Sequence, residues 1–240
     1  MENDLKKILL GLTTTPDANW RGKIKEIKKM ALKEIALFLT GIGRTERREL
    51  YSLLEDTPIE NIWHVHLRND MEVGELEYLV EKFNVKAFNI HPMSSRYPFE
   101  FDYSEFASMI YIENVGVLPA LGELKKVGGL CVDFSHWQDA RLQDNQQYDF
   151  DMKAMLEIFK VGCSHISAIS PIIEKFKDTN FPGVIYETYS THRSENLEDF
   201  DYMKKYLMYL PELISLELEN SFAEQLKIKT YLEKIISQNS

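Results

Sequence analysis

Cysteine is almost missing from this chain: Cys131 and Cys163 are the only two in 240 residues, and both stand in apolar runs, LCV and GCS. That excludes a disulfide-stapled scaffold, and the pair reads as reduced thiols of a core. Glycine and proline are also scarce, at 11 and 8 residues, which excludes collagen-like and low-complexity chains and leaves little room for long disorder. No apolar run approaches the ~20 residues of a membrane span. The opening MENDLKKILLGL is acidic at its start and too briefly apolar for a secretory leader. A cytoplasmic protein with no membrane partner is the expectation. Positive charge is the minority sign, 28 Lys and Arg against 38 Asp and Glu, for a net charge of −10. This balance favours solubility and argues against broad, nonspecific association with nucleic acid, while leaving a local basic patch open.

What the chain does have is alternation. Short β-rich apolar runs fall at 6–13, 34–40, 61–67, 86–92, 109–115, 129–135, 162–169 and 213–220. Amphipathic helical patterns fall at 23–32, 46–55, 74–83, 150–160, 197–207 and 222–236, with apolar residues recurring at three- and four-residue spacing. Strand and helix taking turns predicts a parallel sheet, and eight such units predict an α/β fold, a single (β/α)8 TIM barrel spanning 1–240 as one domain. One segment breaks the rhythm. Residues 170–196 are too many for an ordinary connection and contain a β-like GVIYETY, so they read as an elaborated loop on the active face.

The six histidines, His64, His66, His91, His136, His165 and His192, all avoid the expected helices. Five fall in or just after strands three, four, six and seven; His192 falls in the loop after strand seven. Carboxylates accompany them: Glu113 in YIEN, Asp133 in GLCVDFSHWQD, and Glu217 and Glu219 in SLELEN. Side chains alternate along a strand, so Ile110 and Ile112 face the helices while Glu113 faces inward. By the same rule Cys131 and Asp133 face inward together, as do Glu217 and Glu219. His64 lies one layer below His66 and reads as core or support. Glu217 lies deeper than Glu219 and reads as an internal ion-pair partner. Any one strand histidine, taken alone, reads as a hydrogen-bonded structural residue. Together they are different: acids and imidazoles crowded into one barrel mouth need a cation between them. Mixed histidine and carboxylate donors suit zinc first, with manganese or iron as other choices.

In order along the chain, HVHLRND, FNIHPMSS, YIEN, CVDFSH, SHIS, STHRSENLED and LELEN resemble the segments of the xylose isomerase-like TIM barrels. The resemblance is to their endonuclease IV branch, the apurinic/apyrimidinic endonucleases of DNA repair, and runs from about residue 34 to the last helix. It implies three zinc ions. His66, His91 and Glu113 would hold the first. Glu113 would bridge to a second, held also by Asp133, His165 and Glu219, and His136 and His192 would hold a third. One position departs: where the family has Asp two residues before the last histidine, this chain has Ser190, so two or three ions are expected. Glu187 is the nearest carboxylate to stand in for that aspartate.

Arg44, Arg68, Arg96, Arg141 and Arg193 lie in loops after strands two, three, four, six and seven. A guanidinium fork matches phosphate oxygens, so these arginines suit an anionic substrate. Pairing with neighbours such as Glu46, Asp70 and Glu195 is the equally weighted alternative. The first functional expectation is metal-dependent hydrolysis of a phosphoester. Here Glu113 and Glu219 act at the metals, Arg44, Arg68, Arg96 and Arg193 hold the phosphate, and abasic DNA is the substrate implied by the resemblance. The second is a sugar isomerase or epimerase acting on a sugar or sugar phosphate, with Glu113, Asp133, His165 and Glu219 around one metal. In it, Glu113 and Glu219 would move a proton beside a carbonyl. The third is a metal-binding barrel without turnover. The oligomeric state stays open.

Overall fold

The computed structural model of the protein describes residues 6–95, 98–177 and 185–238. Its first strand region is split at Leu10 into β1 (Lys7–Leu9) and β2 (Gly11–Thr13). There follow β3 (Glu34–Phe38), β4 (Asn61–His66), β5 (Ala87–Ile90), β6 (Ile110–Glu113), β7 (Gly129–Asp133) and β8 (Val161–Ile166). A hairpin of β9 (Ala168–Lys177) and β10 (Ile185–Thr191) precedes the last strand, β11 (Leu213–Leu216). Among the described residues, nine segments form one parallel sheet in the order β1-β11-β8-β7-β6-β5-β4-β3-β2. β1 pairs with β11 and β2 with β3, with only Leu10 between them, so the sheet curls into a nearly closed barrel.

Each strand region expected from the sequence holds an observed segment. The helices cover the outside: α1 (Trp20–Met30), α2 (Arg44–Glu55), α3 (Val73–Phe83), the short α4 (Leu121–Leu124), α5 (Phe134–Leu142), α6 (Gln146–Ile158) and α7 (Phe222–Ser237). Local chemistry sets their ends. Asn19 caps α1 by accepting the Gly22 N–H, and Ala31 ends that helix in the left-handed region. Ser221 and Glu224 form a capping box on α7. Ile24 and Ile27 of α1 and Ile228, Leu232 and Ile235 of α7 are buried. They belong to one continuous apolar layer with strand residues such as Ile8, Leu12, Ile35 and Leu37. Each such side chain contributes about 1.5–3 kcal/mol by leaving water.

The seam where the barrel meets itself is held by side chains. A Cβ on Gly11 would lie 1.8 Å from the Leu216 carbonyl oxygen, so the approach of these two strands requires glycine. The buried Gln225 amide of α7 accepts the Gly11 N–H at 2.8 Å and donates to the Gly11, Leu218 and Asn220 carbonyls at 2.9, 3.0 and 3.0 Å. Lys23 Nζ donates to the Gly11 and Leu218 carbonyls from the other side.

Three elements differ from expectation. The segment after β8 is an antiparallel hairpin tied to α5, where Asp139 Oδ1 accepts the Tyr189 N–H at 2.6 Å. Residues 197–207 form 3-10 turns, Leu197–Lys205, in place of an α-helix. The strand expected over 129–135 stops at Asp133 and turns at once into α5, because Asp133 Oδ1 accepts the Ser135 and His136 N–H groups. No helix of the described residues is long and apolar enough to cross a membrane.

Candidate metal centre

The C-terminal ends of β4, β5, β6, β7, β8 and β11 meet at one mouth. Register brings their side chains together: His66 stands beside Asn89, Glu113 beside Cys131, and Asp133 beside His165. Glu113 Oε2 is the hub. It lies 3.0 Å from His66 Nε2, 3.2 Å from His165 Nε2 and 3.9 Å from His91 Nε2. His165 uses its other ring nitrogen on Glu217 Oε2 at 2.9 Å and on Asp133 Oδ2 at 3.4 Å. His136, in the first turn of α5, places Nε2 3.8 Å from Asp133 Oδ2. Three groups of donors therefore form, each with its ligand atoms within 4.8 Å of one another: His66, His91 and Glu113; Glu113, Asp133 and His136; Asp133, His165 and Glu217. Neighbouring groups share a carboxylate.

Fixed dipoles and backbone orient these donors. The buried Asn89 amide donates to Glu113 Oε2 at 2.7 Å. Asn114, the last residue of YIEN, clamps the Asp133 backbone, donating to its carbonyl at 2.9 Å and accepting its N–H at 2.8 Å. Ser135 Oγ donates to Asp133 Oδ1, and Ser190 Oγ in turn donates to Ser135 Oγ at 2.9 Å. Ser190 thus supports Asp133 through one intervening hydroxyl. Sequence reasoning missed Asn89, although its place two residues before His91 puts it on the inward face of β5.

The electrostatics follow from that crowding. Burial works against the Glu113 carboxylate, but His165, His66 and His91 outweigh it and hold its carboxyl well below the usual range. Burial likewise works against imidazolium, yet Glu113 raises His66, and Glu113, Glu217 and Asp133 raise His165 well above the ordinary value. Burial drives His91 down to about 4 against the pull of Glu113. Glu217 is pushed down to about 2, because His192 and His165 overcome its burial. Protons on imidazole balance the acids here, and a divalent cation does so more fully at the same donors. The chemistry of the donor set fits zinc and its neighbours.

The remaining sequence candidates lie further off. Glu219 is in none of the three groups among the described residues; its carboxylate accepts from Thr15 Oγ1, and Glu217 stands in the cluster instead. His192 Nε2 is 3.7 Å from Glu217 Oε1 and belongs to none of the three groups among the described residues. Glu187 pairs with Lys175 within the hairpin. Arg44 makes a two-pronged pair with Glu72 at the surface. Arg68 donates to Asp70 at 2.9 Å and to the Thr40 carbonyl at 2.7 Å. It also lines, with Thr40, Asn69, His66 and His91, a cavity of about 180 Å³ beside the first donor group. Arg141 lies 3.8 Å from Asp149. Arg193 is exposed, and its charge helps hold the Glu224 carboxyl down. Arg96 lies outside the described residues. No protein-family model matches the chain, and no curated protein or solved structure matches it significantly.

Proposed function

We propose that the chain is a divalent-metal-dependent hydrolase of phosphoester bonds, with the phosphodiester of abasic DNA as its substrate class. In this reading β1 and β2 are one interrupted strand, and the sheet is the eight-stranded barrel of that activity. The observation that carries it is the shared carboxylates. Glu113 belongs to two donor groups and Asp133 to two, which is the arrangement that adjacent metal ions require. Bound there, the metals would lower the pKa of a water and stabilise a leaving oxygen. His66 and His91 hold one end of the centre, and His165, Asp133 and Glu217 hold the other. Asn89 keeps the Glu113 carboxylate turned toward both. Arg68, on the cavity wall next to His66 and His91, is the arginine best placed to meet a phosphate oxygen. The ordered motifs shared with the endonuclease IV branch supply the substrate class.

The test is a metal count followed by parallel assays on purified protein: nicking of an abasic duplex, hydrolysis of a generic phosphodiester, and ketose–aldose conversion. Two or three ions at the mouth and metal-dependent nicking, both lost in Glu113→Gln, are expected. Full activity in Glu113→Gln overturns the reading.

One observation favours a second reading, a single-metal sugar isomerase or epimerase. Arg44, Arg68 and Arg141 already have carboxylate partners, which weakens the case for phosphate. Asp133 and Glu217 both face Nδ1 of His165, while Glu113 faces Nε2, so a single ion has three donors in Asp133, His165 and Glu217. One mouth metal per chain with ketose–aldose turnover would select this alternative.

A further inference from the structure

The strands that deliver His66, Asp133 and His165 to the mouth carry a second ligand set two residues earlier. These are His64 on β4, Cys131 on β7 and Cys163 on β8. Side chains two apart share a face, so the barrel interior holds two stacked donor layers, separated along the strands by about 6–7 Å. We propose that the lower layer, His64, Cys131 and Cys163, is a distinct structural metal site for one soft, thiophilic cation, zinc(II) or copper(I).

Cys131 and Cys163 are direct partners across the β7–β8 ladder. Their sulfurs and a ring nitrogen of His64 all lie within 4.8 Å of one another. Bonds of about 2.3 Å to sulfur and 2.0 Å to nitrogen set such donors roughly 3.5–4 Å apart, so small side-chain shifts bring all three donors onto one ion. The separation from the mouth is too large for one ion to bind both layers at those bond lengths.

A second observation points to a ligand. His64 Nδ1 is engaged by Ser215 Oγ at 2.8 Å, and both residues are fully buried. Nε2 has no hydrogen-bond partner, and in the tautomer that donates Nδ1–H to Ser215 Oγ it carries the lone pair. A buried ring nitrogen fixed by an outer hydroxyl and otherwise unsatisfied is how a histidine is presented to a metal.

The surroundings select the cation. Cys131 and Cys163 pack with Ala87 and Tyr111, and the Phe38 ring stands edge-on to His64 at 6.0 Å. In such an apolar shell, net charge is costly. Zinc(II) bound to two thiolates and one neutral imidazole has no net charge, the two thiol protons leaving on binding. Copper(I) reaches neutrality with one thiolate, the second cysteine staying protonated. Neither involves oxidation or reduction. Hard cations such as magnesium gain nothing from sulfur.

X-ray absorption at the metal edge decides the matter, because the mouth site contains no sulfur. Full-length protein is produced once in zinc-supplemented and once in copper-supplemented medium. The expected spectrum contains a sulfur shell near 2.3 Å in at least one preparation. In Cys131→Ser/Cys163→Ser the sulfur shell is lost and the metal content falls by one per chain. In Glu113→Gln the sulfur shell persists while mouth metal is lost, so the two sites fail independently. Only nitrogen and oxygen scatterers in the wild type, no bound metal at all, or a sulfur shell unchanged in the double variant would overturn the proposal. If the double variant does not fold, the wild-type spectra alone decide.

Discussion

His165 Nδ1 faces Glu217 Oε2 at 2.9 Å, and both side chains are almost fully buried. Glu219, two residues on, instead meets Thr15 and lends its field to Lys23. Among the described residues Glu217, and not Glu219, belongs to the donor group of Asp133 and His165. Glu217→Gln is expected to weaken metal binding by about 10–100-fold. Glu219→Gln should leave affinity and stoichiometry nearly unchanged. Competition titration against a chromophoric chelator measures both, and a reversed ranking would return the ligand role to Glu219.

Metal binding should release protons. His165 is held well above its ordinary value and His66 is raised, in both cases because carboxylates overcome the effect of burial. Both donors must lose their protons to coordinate. Affinity should therefore rise with pH through the neutral range, with roughly one to two protons released per mouth at neutral pH in Cys131→Ser/Cys163→Ser protein, where no thiol adds its own. Calorimetric titration in buffers of different ionisation enthalpy reads this number directly. A binding heat independent of buffer would show that the imidazoles are already neutral.

Much of the mouth is legible in the sequence, because strand periodicity converts sequence position into facing direction. His66, Glu113, Asp133 and His165 are visible in this way, as are the strand regions that carry them. What stays hidden depends on where a strand stops. Alternation puts Glu217 and Glu219 on the same face, but β11 ends at Leu216, and beyond it the chain leaves the regular pleat. Similarly, GLCVDFS reads as continuous strand, yet the Asp133 side chain caps the Ser135 and His136 N–H groups and starts α5 immediately. The arginine ring suggested by loop positions depended on partners far along the chain. Arg44 finds Glu72 on the next unit, which no local pattern reveals.

Asp133 has two separable duties, since Oδ1 caps α5 while Oδ2 faces His165 and His136. Asparagine keeps the cap and removes the charge; alanine removes both. In metal-free protein, Asp133→Ala should unfold more readily than Asp133→Asn by about 1 kcal/mol, the worth of the cap. Both variants should lose metal. Urea denaturation of the pair gives the difference, and equal stabilities would mean that the cap contributes nothing.

The barrel seam offers a sharper stability test. Gln225 satisfies the Gly11 N–H and three carbonyls that have no sheet partner where the strands meet. Removing it strands the Gly11 N–H and the Asn220 carbonyl, each at a cost of about 1–3 kcal/mol, while Lys23 and Thr13 still serve the Gly11 and Leu218 carbonyls. Gln225→Leu, similar in size, should therefore destabilise the fold by at least about 2 kcal/mol. Loss of less than 1 kcal/mol in denaturant unfolding would show that water or backbone shifts replace the amide.

Lys23 lies beside that seam, 3% exposed, and burial lowers it from 10.5 to about 7 despite the nearby carboxylates Glu26, Glu219 and Glu224. Below pH 7 the ammonium is present in both folded and unfolded chains, and the folded state bears the full penalty of burying it. Between about pH 7 and 10.5 the folded state binds fewer protons than the unfolded one. The contribution of Lys23 to stability therefore rises with pH across that window, by an amount on the order of a few kcal/mol. Lys23→Met should abolish this component while retaining most of the aliphatic packing. The measurement is the difference between wild-type and Lys23→Met unfolding free energies at successive pH values. A difference that grows in favour of the wild type as pH rises is expected; parallel profiles would mean that the lysine keeps its proton in the folded barrel.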